Sequence, residues 1–522
     1  MRRTRLIRLL LILLTGASAA AHATDWTQFG YDQAHSSNNT AEKGYPVNGV
    51  NTAQWSVNVH RFNNTGTITA DSAPIYLSNV ATVSGTKDLL FLVATDGSLI
   101  AFAASDGSVV WSQHPTSTGG NPTTGSPAVD PNLQFVYAYA LDGKVHKYQV
   151  GDGVEITTGG WPQVSTLKPS VEKGAAGIAI ATPPGGVNYL YHATNGYGGD
   201  NGDYQGHVTT VNLSTGAQNV FNAMCSNLFM HFVNRGTARV DDCDLAGVNS
   251  NQSDGQMSGI WGRPGVIYGA QTNRIYFATG NGLYDANTAG NYEWGDSVLS
   301  LNIDGTGSGM GMPVDAYTPS NYAGLYGGDT DLGSTAPAIL PSTSATFPHL
   351  AVQSGKDSCM RLINLDNMSG AGGPGHTGGE LNAGACSTDA VGGGVVFPQP
   401  AVWVNPADNS TWFFIANGNG NTGNGHLIGY RLNVSGTPSI PKQWSTNNGG
   451  SSPLIANNIL YYASNNIVRA VDPLTGTTLW SASIGGIKWQ SPIVVNGHLY
   501  ITDNSAKLWS FALDGIFKNG FQ

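Results

Sequence analysis

Short apolar stretches alternate with polar positions along most of the chain and end in glycine-rich turns. Two distant segments share one frame, AFAASDGSVVW from Ala101 to Trp111 and AVDPLTGTTLW from Ala470 to Trp480. In each, alternating apolar residues run into a turn that ends at Gly107 or Gly476, and a tryptophan stands four residues further on. Alternation at a period of two predicts strands with one buried face, and the turn joins two of them into a hairpin. The tryptophan is broad enough to pack over a neighbouring hairpin.

Weaker copies recur as DGKVHKYQVGDG from Asp142, QGHVTTVNLSTG from Gln205, GDSVLSLNIDG from Gly295 and DSCMRLINLDNMSG from Asp357. Others are GHLIGYRLNVSG from Gly425 and AKLWSFALDG from Ala506. About eight units result, at intervals of roughly 40 to 90 residues, and a four-stranded blade needs about 40, so the longer intervals carry insertions. The longest insertion runs from about Phe221 to Gly259. The pattern predicts an all-β chain, a single β-propeller of about eight four-stranded blades with long loop insertions. Ring closure leaves few sheet edges exposed.

The N-terminus departs from this pattern. MRRTRLIRLLLILLTGASAAAHA has four arginines, an apolar core from Leu9 to Leu14 and small residues up to Ala23. That order predicts a secretory signal peptide over 1–23 and a propeller domain over 24–522, with periplasmic or secreted localisation. The apolar run is too short to span a bilayer and nothing comparable follows, so no membrane span is expected. Charged residues make up 11% of the chain beside 70 glycines, as expected of many short strands joined by turns. A net charge of −10 without a basic cluster beyond the leader argues against a nucleic-acid partner.

Four cysteines, Cys225, Cys243, Cys359 and Cys386, stand in a chain bound for an oxidising compartment. Pairing Cys225 with Cys243 and Cys359 with Cys386 is the simplest of three connectivities. No CxxC or CxxCH occurs, which disfavours structural zinc and covalently attached haem.

The hairpin AVDPLTGTTLW, the opening DWTQFGYDQAH from Asp25, and the order of segments between them resemble the pyrroloquinoline quinone (PQQ) propeller proteins. The best-known members are PQQ-dependent alcohol dehydrogenases, and the hairpin also occurs in non-catalytic members. In SGIWGRPGVIYGAQTNRIYFATGN, the resemblance makes Trp261 the floor under a flat quinone and Asn281 a metal ligand through its amide oxygen. By local propensity alone, Asn281 is a turn residue after the strand Arg274 to Ala278. GGDTDLGSTAP places Asp329 and Asp331 where dehydrogenases of the family have their catalytic aspartate, and such a carboxylate takes the alcohol proton while hydride passes to the quinone. Some relatives have a second aspartate two residues on, which resembles a lanthanide preference, so calcium and a lanthanide are both candidates and either aspartate can be the base.

Lys356, in AVQSGKDSCMRLINLD, matches the family's cation beside the quinone oxygens, where it would stabilise negative charge on the reduced cofactor. The glutamate that usually ligates the metal is absent. Asn201 stands at its place, between Asp200 and Asp203, and these three residues are the candidate metal ligands there. The adjacent cysteines that often bridge over the quinone are also missing, and Val396 and Phe397 replace an Asn-Trp pair, leaving Phe397 as apolar cover.

His207, in a strand, reads as structural, and His231 is isolated. No nucleophile elbow and no phosphate-binding loop occur. The resemblance implies an exported PQQ-dependent oxidoreductase that acts on an alcohol or sugar-type hydroxyl with a metal Lewis acid and a separate cytochrome acceptor. The alternative is a non-catalytic propeller that binds a protein or glycan partner in the envelope. A third reading is a propeller that has lost its quinone and uses the channel for other ligands.

Overall fold

The computed structural model describes residues 25–44, 52–116, 122–198, 204–232, 257–288, 290, 292–382, 395–418 and 425–513. The expected signal peptide, the halves Cys243 and Cys386 of the expected disulfides, and Asp200, Asn201 and Asp203 lie outside these residues. Neither Cys225 nor Cys359 is a free thiol.

Eight antiparallel sheets follow one another along the chain as the blades of a propeller. Blades 1 to 4 span residues 75–113, 128–164, 179–222 and 267–317; blades 5 to 8 span 338–364, 401–446, 454–483 and 493–512. The expected four strands occur in most blades, but blade 5 has three among the described residues. Blade 7 is a clear instance of why these residues form strands. Leu454–Ala456 is fully buried, whereas Thr478–Ser483 alternates exposed and covered positions. Burial on both faces thus gives way to a half-solvated outer strand, as radial stacking of sheets demands.

Ring closure uses both ends of the described chain. Trp55–Asn58 becomes the outer strand of blade 8, antiparallel to Lys507–Ala512, with Trp55 opposite Ser510. Pairing the first strand with the last removes the edge that an open ring would expose. The segment before it, residues 25–44, bonds to the inner strand of one blade after another. Thr27 O accepts from Val129 N–H, Gln33 O from Tyr268, Ser36 O from Val402 and Ser37 O from Ile455, all within 2.7–3.0 Å.

The repeated tryptophan packs on the next blade, at its turn glycine. The Trp111 ring covers Gly153, and its Nε1 donates to Val150 O at 3.0 Å. Trp55 covers Gly107 and Trp444 covers Gly476 in the same way. These glycines have φ of +72°, +72° and +74°, a conformation that favours glycine, and a Cβ on any of them would enter the ring. Degenerate copies replace the tryptophan: in blade 2, Gln163 donates to Gly216 O of blade 3.

Helix is confined to Tyr322–Gly327 and the 3-10 turn Leu332–Ser334 among the described residues. No helix there is long and apolar enough to cross a membrane. The expected 221–259 insertion starts later than read, because Gln218–Asn222 is the outer strand of blade 3.

Candidate functional site

The connections before blades 4, 5 and 6 and the turn between the second and third strands of blade 5 meet at one cavity of about 580 Å³, lined by Trp261, Asp329, Asp331, Lys356 and Phe397 among others. Each connection is held by blade strands at its ends, so the rigid blades set its position. The strand Arg274–Ala278 ends in the turn Thr279-Gly280-Asn281, which lies against the loop Asp329 to Leu332. Gly280 permits the close approach, because a Cβ there would stand 2.2 Å from Asp331 Oδ1.

Asn281 is buried and joins both aspartates. Its main-chain N–H donates to Asp331 Oδ1 and its Nδ2 to Asp329 Oδ1, both at 2.7 Å. Its own Oδ1 is buried and accepts no hydrogen bond. Buried amide oxygens are rarely left without a partner. The turn residue of the sequence is thus also a point where two acids and an unpaired amide oxygen meet.

Lys356 completes the group. Its Nζ donates to Asp329 Oδ1 at 2.9 Å and to Asp329 O at 3.2 Å, and it forms a shorter ion pair with Asp331 Oδ2. Burial disfavours its charge, but attraction to Asp331 and hydrogen bonds to both aspartates outweigh it, so its pKa is raised. The ammonium also lies 5.6 Å from the Trp261 ring centre, within cation–π range. Trp261 Nε1 approaches Asp331 Oδ1 at 3.5 Å. Phe397 tilts against Trp261 at 5.6 Å and meets Trp489 at 5.5 Å, so three aromatic rings line one side of the cavity. The aspartates differ in exposure: the Asp329 side chain is 58% exposed and that of Asp331 is 9%. Asp329 also has φ of +49°, unusual outside glycine.

Behind this group Asp296 is buried, accepts from Leu332 N–H at 2.9 Å, and has an unpartnered Oδ2. Burial raises its pKa well above the carboxylate range; the Leu332 bond opposes the shift and the negative charge of Asp331 adds to it. Among the described residues no group of three His, Cys, Asp or Glu side chains is arranged to hold a metal. The oxygen donors present are the two aspartates and the Asn281 amide.

Lys173, Arg263, Lys488, Asp71 and Trp489 share the cavity and escaped sequence reasoning. Lys173 lies in the short strand Glu172–Lys173 and the others in loops, and of the five only Arg263 stands in a segment quoted for its motif; a further hint was the scarcity of cations, 23 Lys and Arg in 522 residues. His207 and His231 lie elsewhere. His207 is buried on blade 3 against Thr194 and Ser165, in keeping with a structural role, and His231 approaches its Nε2 at 3.2 Å.

The fold is an eight-bladed β-propeller similar to PQQ-type propellers. Residues 54–219 match the family described as outer membrane protein assembly factor BamB. The quinohemoprotein alcohol dehydrogenase of Comamonas testosteroni superposes with a TM-score of 0.60 at 15% identity, over 97% of this chain and 83% of that one. Quinohemoprotein alcohol dehydrogenase ADHIIG of Pseudomonas putida HK5 gives 0.58 at 14% identity, over 95% and 81%. A europium-containing methanol dehydrogenase gives 0.59 at 12%, over 92% and 89%. No curated protein matches the sequence.

Proposed function

We propose that the chain is an exported quinoprotein dehydrogenase that oxidises an alcohol or sugar-type hydroxyl, with PQQ and a calcium or lanthanide ion held beside Trp261. Electrons would leave to a separate acceptor such as a cytochrome. Asn281 carries the reading: its Oδ1 is buried without a donor, on a residue that donates to two carboxylates lining a cavity with a tryptophan wall. A hard cation seeks such neutral and anionic oxygens. The aromatic wall suits a flat tricycle, so the residues present fit both groups.

When bound, the quinone would accept a hydride and the cation would polarise the accepting carbon. The chain supplies the surroundings. Trp261 offers the stacking face and Phe397 with Trp489 narrows the space open to water. Asp329 turns an exposed carboxylate to the cavity and is the better placed base for the hydroxyl proton. Asp331, fixed by the Asn281 N–H, is the better metal-facing acid. Lys356 offers positive charge to oxygens that become negative on reduction.

A second reading, a non-catalytic envelope propeller that binds a protein or glycan, draws on the match of residues 54–219 to the assembly-factor family. Equilibrium binding of PQQ to the purified mature chain, with and without calcium or lanthanum, separates the two. Metal-dependent binding that weakens in Asn281→Ala supports the dehydrogenase. Absence of binding under every metal condition transfers the reading to the partner-binding propeller.

A further inference from the structure

A second cavity, of about 510 Å³, lies at the far end of the inner strands that frame the candidate site. The inner strands of blades 4, 5 and 6 are Ile267–Gly269, Ala338–Pro341 and Ala401–Val404, and each follows a connection that lines the central cavity, at Trp261, Asp331 and Phe397. Each ends at the second cavity, at Gly269, Pro341 and Val404. Strands of three or four residues rise about 10–13 Å, so the two cavities belong to opposite faces of the ring. Residues 32–38 cross this second face. Gln33 O and Ser36 O accept from the N–H groups of Tyr268 and Val402 at 3.0 and 2.9 Å, and Asp32 and Ser36 form one wall of the cavity.

The remaining lining is mainly apolar. Tyr268, Leu365 and Val402 are buried, and Pro341 and Val404 stand exposed at the rim. Among the described residues no lysine or arginine lines this cavity, whereas Asp32 does. Asp32 Oδ1 accepts from Ser36 N–H at 3.0 Å and Oδ2 from Ser36 Oγ at 2.5 Å, bonds within one turn that leave the negative charge in place. His35, three residues on, is buried, and burial lowers its pKa, so it is neutral at neutral pH and gives Asp32 no counter-charge. His349 also lines the cavity and holds its Nδ1 2.7 Å from Asp366 Oδ1. A carboxylate can only accept, so Nδ1 carries the proton and Nε2 of the neutral ring is an acceptor. The cavity thus combines a negative charge and an acceptor nitrogen with apolar walls, and such walls strengthen the pull of a carboxylate on a cation.

We propose that this cavity is a second ligand site, which takes a small organic ammonium with its apolar body against Tyr268, Leu365 and Val402 and its N–H donors towards Asp32 and His349. The volume is that of a small-molecule site. An organic acid would set its charge against Asp32, and a neutral apolar molecule would desolvate the carboxylate without replacing its water. The inference goes beyond the dehydrogenase reading and does not rest on it, since the two cavities share no lining residue.

Titration calorimetry on the mature chain tests this with 2-phenylethylammonium against phenylacetate and phenylacetamide. The ammonium should bind, with affinity falling as salt rises, the amide at least about tenfold more weakly, and the acid not at all. Asp32→Asn should weaken the ammonium at least about tenfold. Val404→Arg, at an exposed position, sets a cation at the rim and should weaken it as much, which keeps the test open if Asp32→Asn disturbs its turn. PQQ and calcium added together should leave the ammonium affinity unchanged; its loss would place the ammonium in the central cavity and overturn the proposal. Equal binding of ammonium and acid, no ammonium binding at millimolar concentration, or wild-type affinity in both variants overturns it as well. A chain that binds the ammonium but never PQQ has the second site without the quinone, whereas PQQ binding without ammonium binding has the reverse.

Discussion

Replacing Lys356 by methionine leaves two aspartates and an amide oxygen together without the ammonium. The contact with Asp329 involves a side chain 58% exposed, so it contributes less than about 1 kcal/mol. The contact with Asp331 is different, since that side chain is 9% exposed and Lys356 is 20% exposed. Removing one partner from a fully buried pair costs about 3–5 kcal/mol, and solvent at the cavity reduces this to about 2 kcal/mol here. Urea unfolding at neutral pH, followed by tryptophan fluorescence, should show Lys356→Met destabilised by that amount. A double-mutant cycle with Asp331→Asn should return a coupling of about 1–2 kcal/mol.

The pH dependence has a definite sign. Because the folded pKa of Lys356 is raised, its contribution is complete below the unfolded value of 10.5 and disappears as pH rises through the higher folded value. The gap between wild type and variant should stay constant near neutrality and close only above that range. Calcium should stabilise the variant more than the wild type, since the competing ammonium is gone. A variant within about 0.5 kcal/mol of wild type, with no coupling in the cycle, would refute the argument.

Three further outcomes are expected. Gly280→Ala puts a methyl group 2.2 Å from Asp331 Oδ1 and should weaken metal-dependent PQQ binding at least about tenfold while the chain stays folded; unchanged affinity would show that the Asn281–Asp331 hydrogen bond is dispensable. His192 is held neutral, its pKa lowered to about 3 by burial first and then by His207 and His231, so folded stability should decline as pH falls from 6.5 towards 3. His192→Gln should flatten the urea midpoint over that interval, and parallel slopes would remove the histidine from the account. Gly153→Ala combines φ of +72° with a methyl 2.5 Å from the Trp111 ring and should cost at least about 2 kcal/mol in urea unfolding; a neutral result would mean that the blade contact relaxes freely.

Strands, hairpins and the number of blades were legible in the chain because alternation at a period of two is a local property, written residue by residue from Ala101 to Trp111 and again from Ala470 to Trp480. The resemblance singled out Trp261, Asn281, Asp329, Asp331, Lys356 and Phe397, which stand in or against one cavity. Only the closed ring decided which glycine each tryptophan covers, because Trp111 and Gly153 are 42 positions apart and meet through blade stacking. Tertiary structure alone also deprived Asn281 Oδ1 of a partner, as that depends on every polar group around it at once. The cations of the cavity wall were illegible for the same reason. Lys173, Arg263 and Lys488 come from three separate stretches of chain, and neither the burial of Lys173 and Arg263 nor the meeting of all three at one cavity exists until the blades bring those stretches together. Pattern is encoded along the chain, whereas desolvation and charge balance belong to the assembled volume.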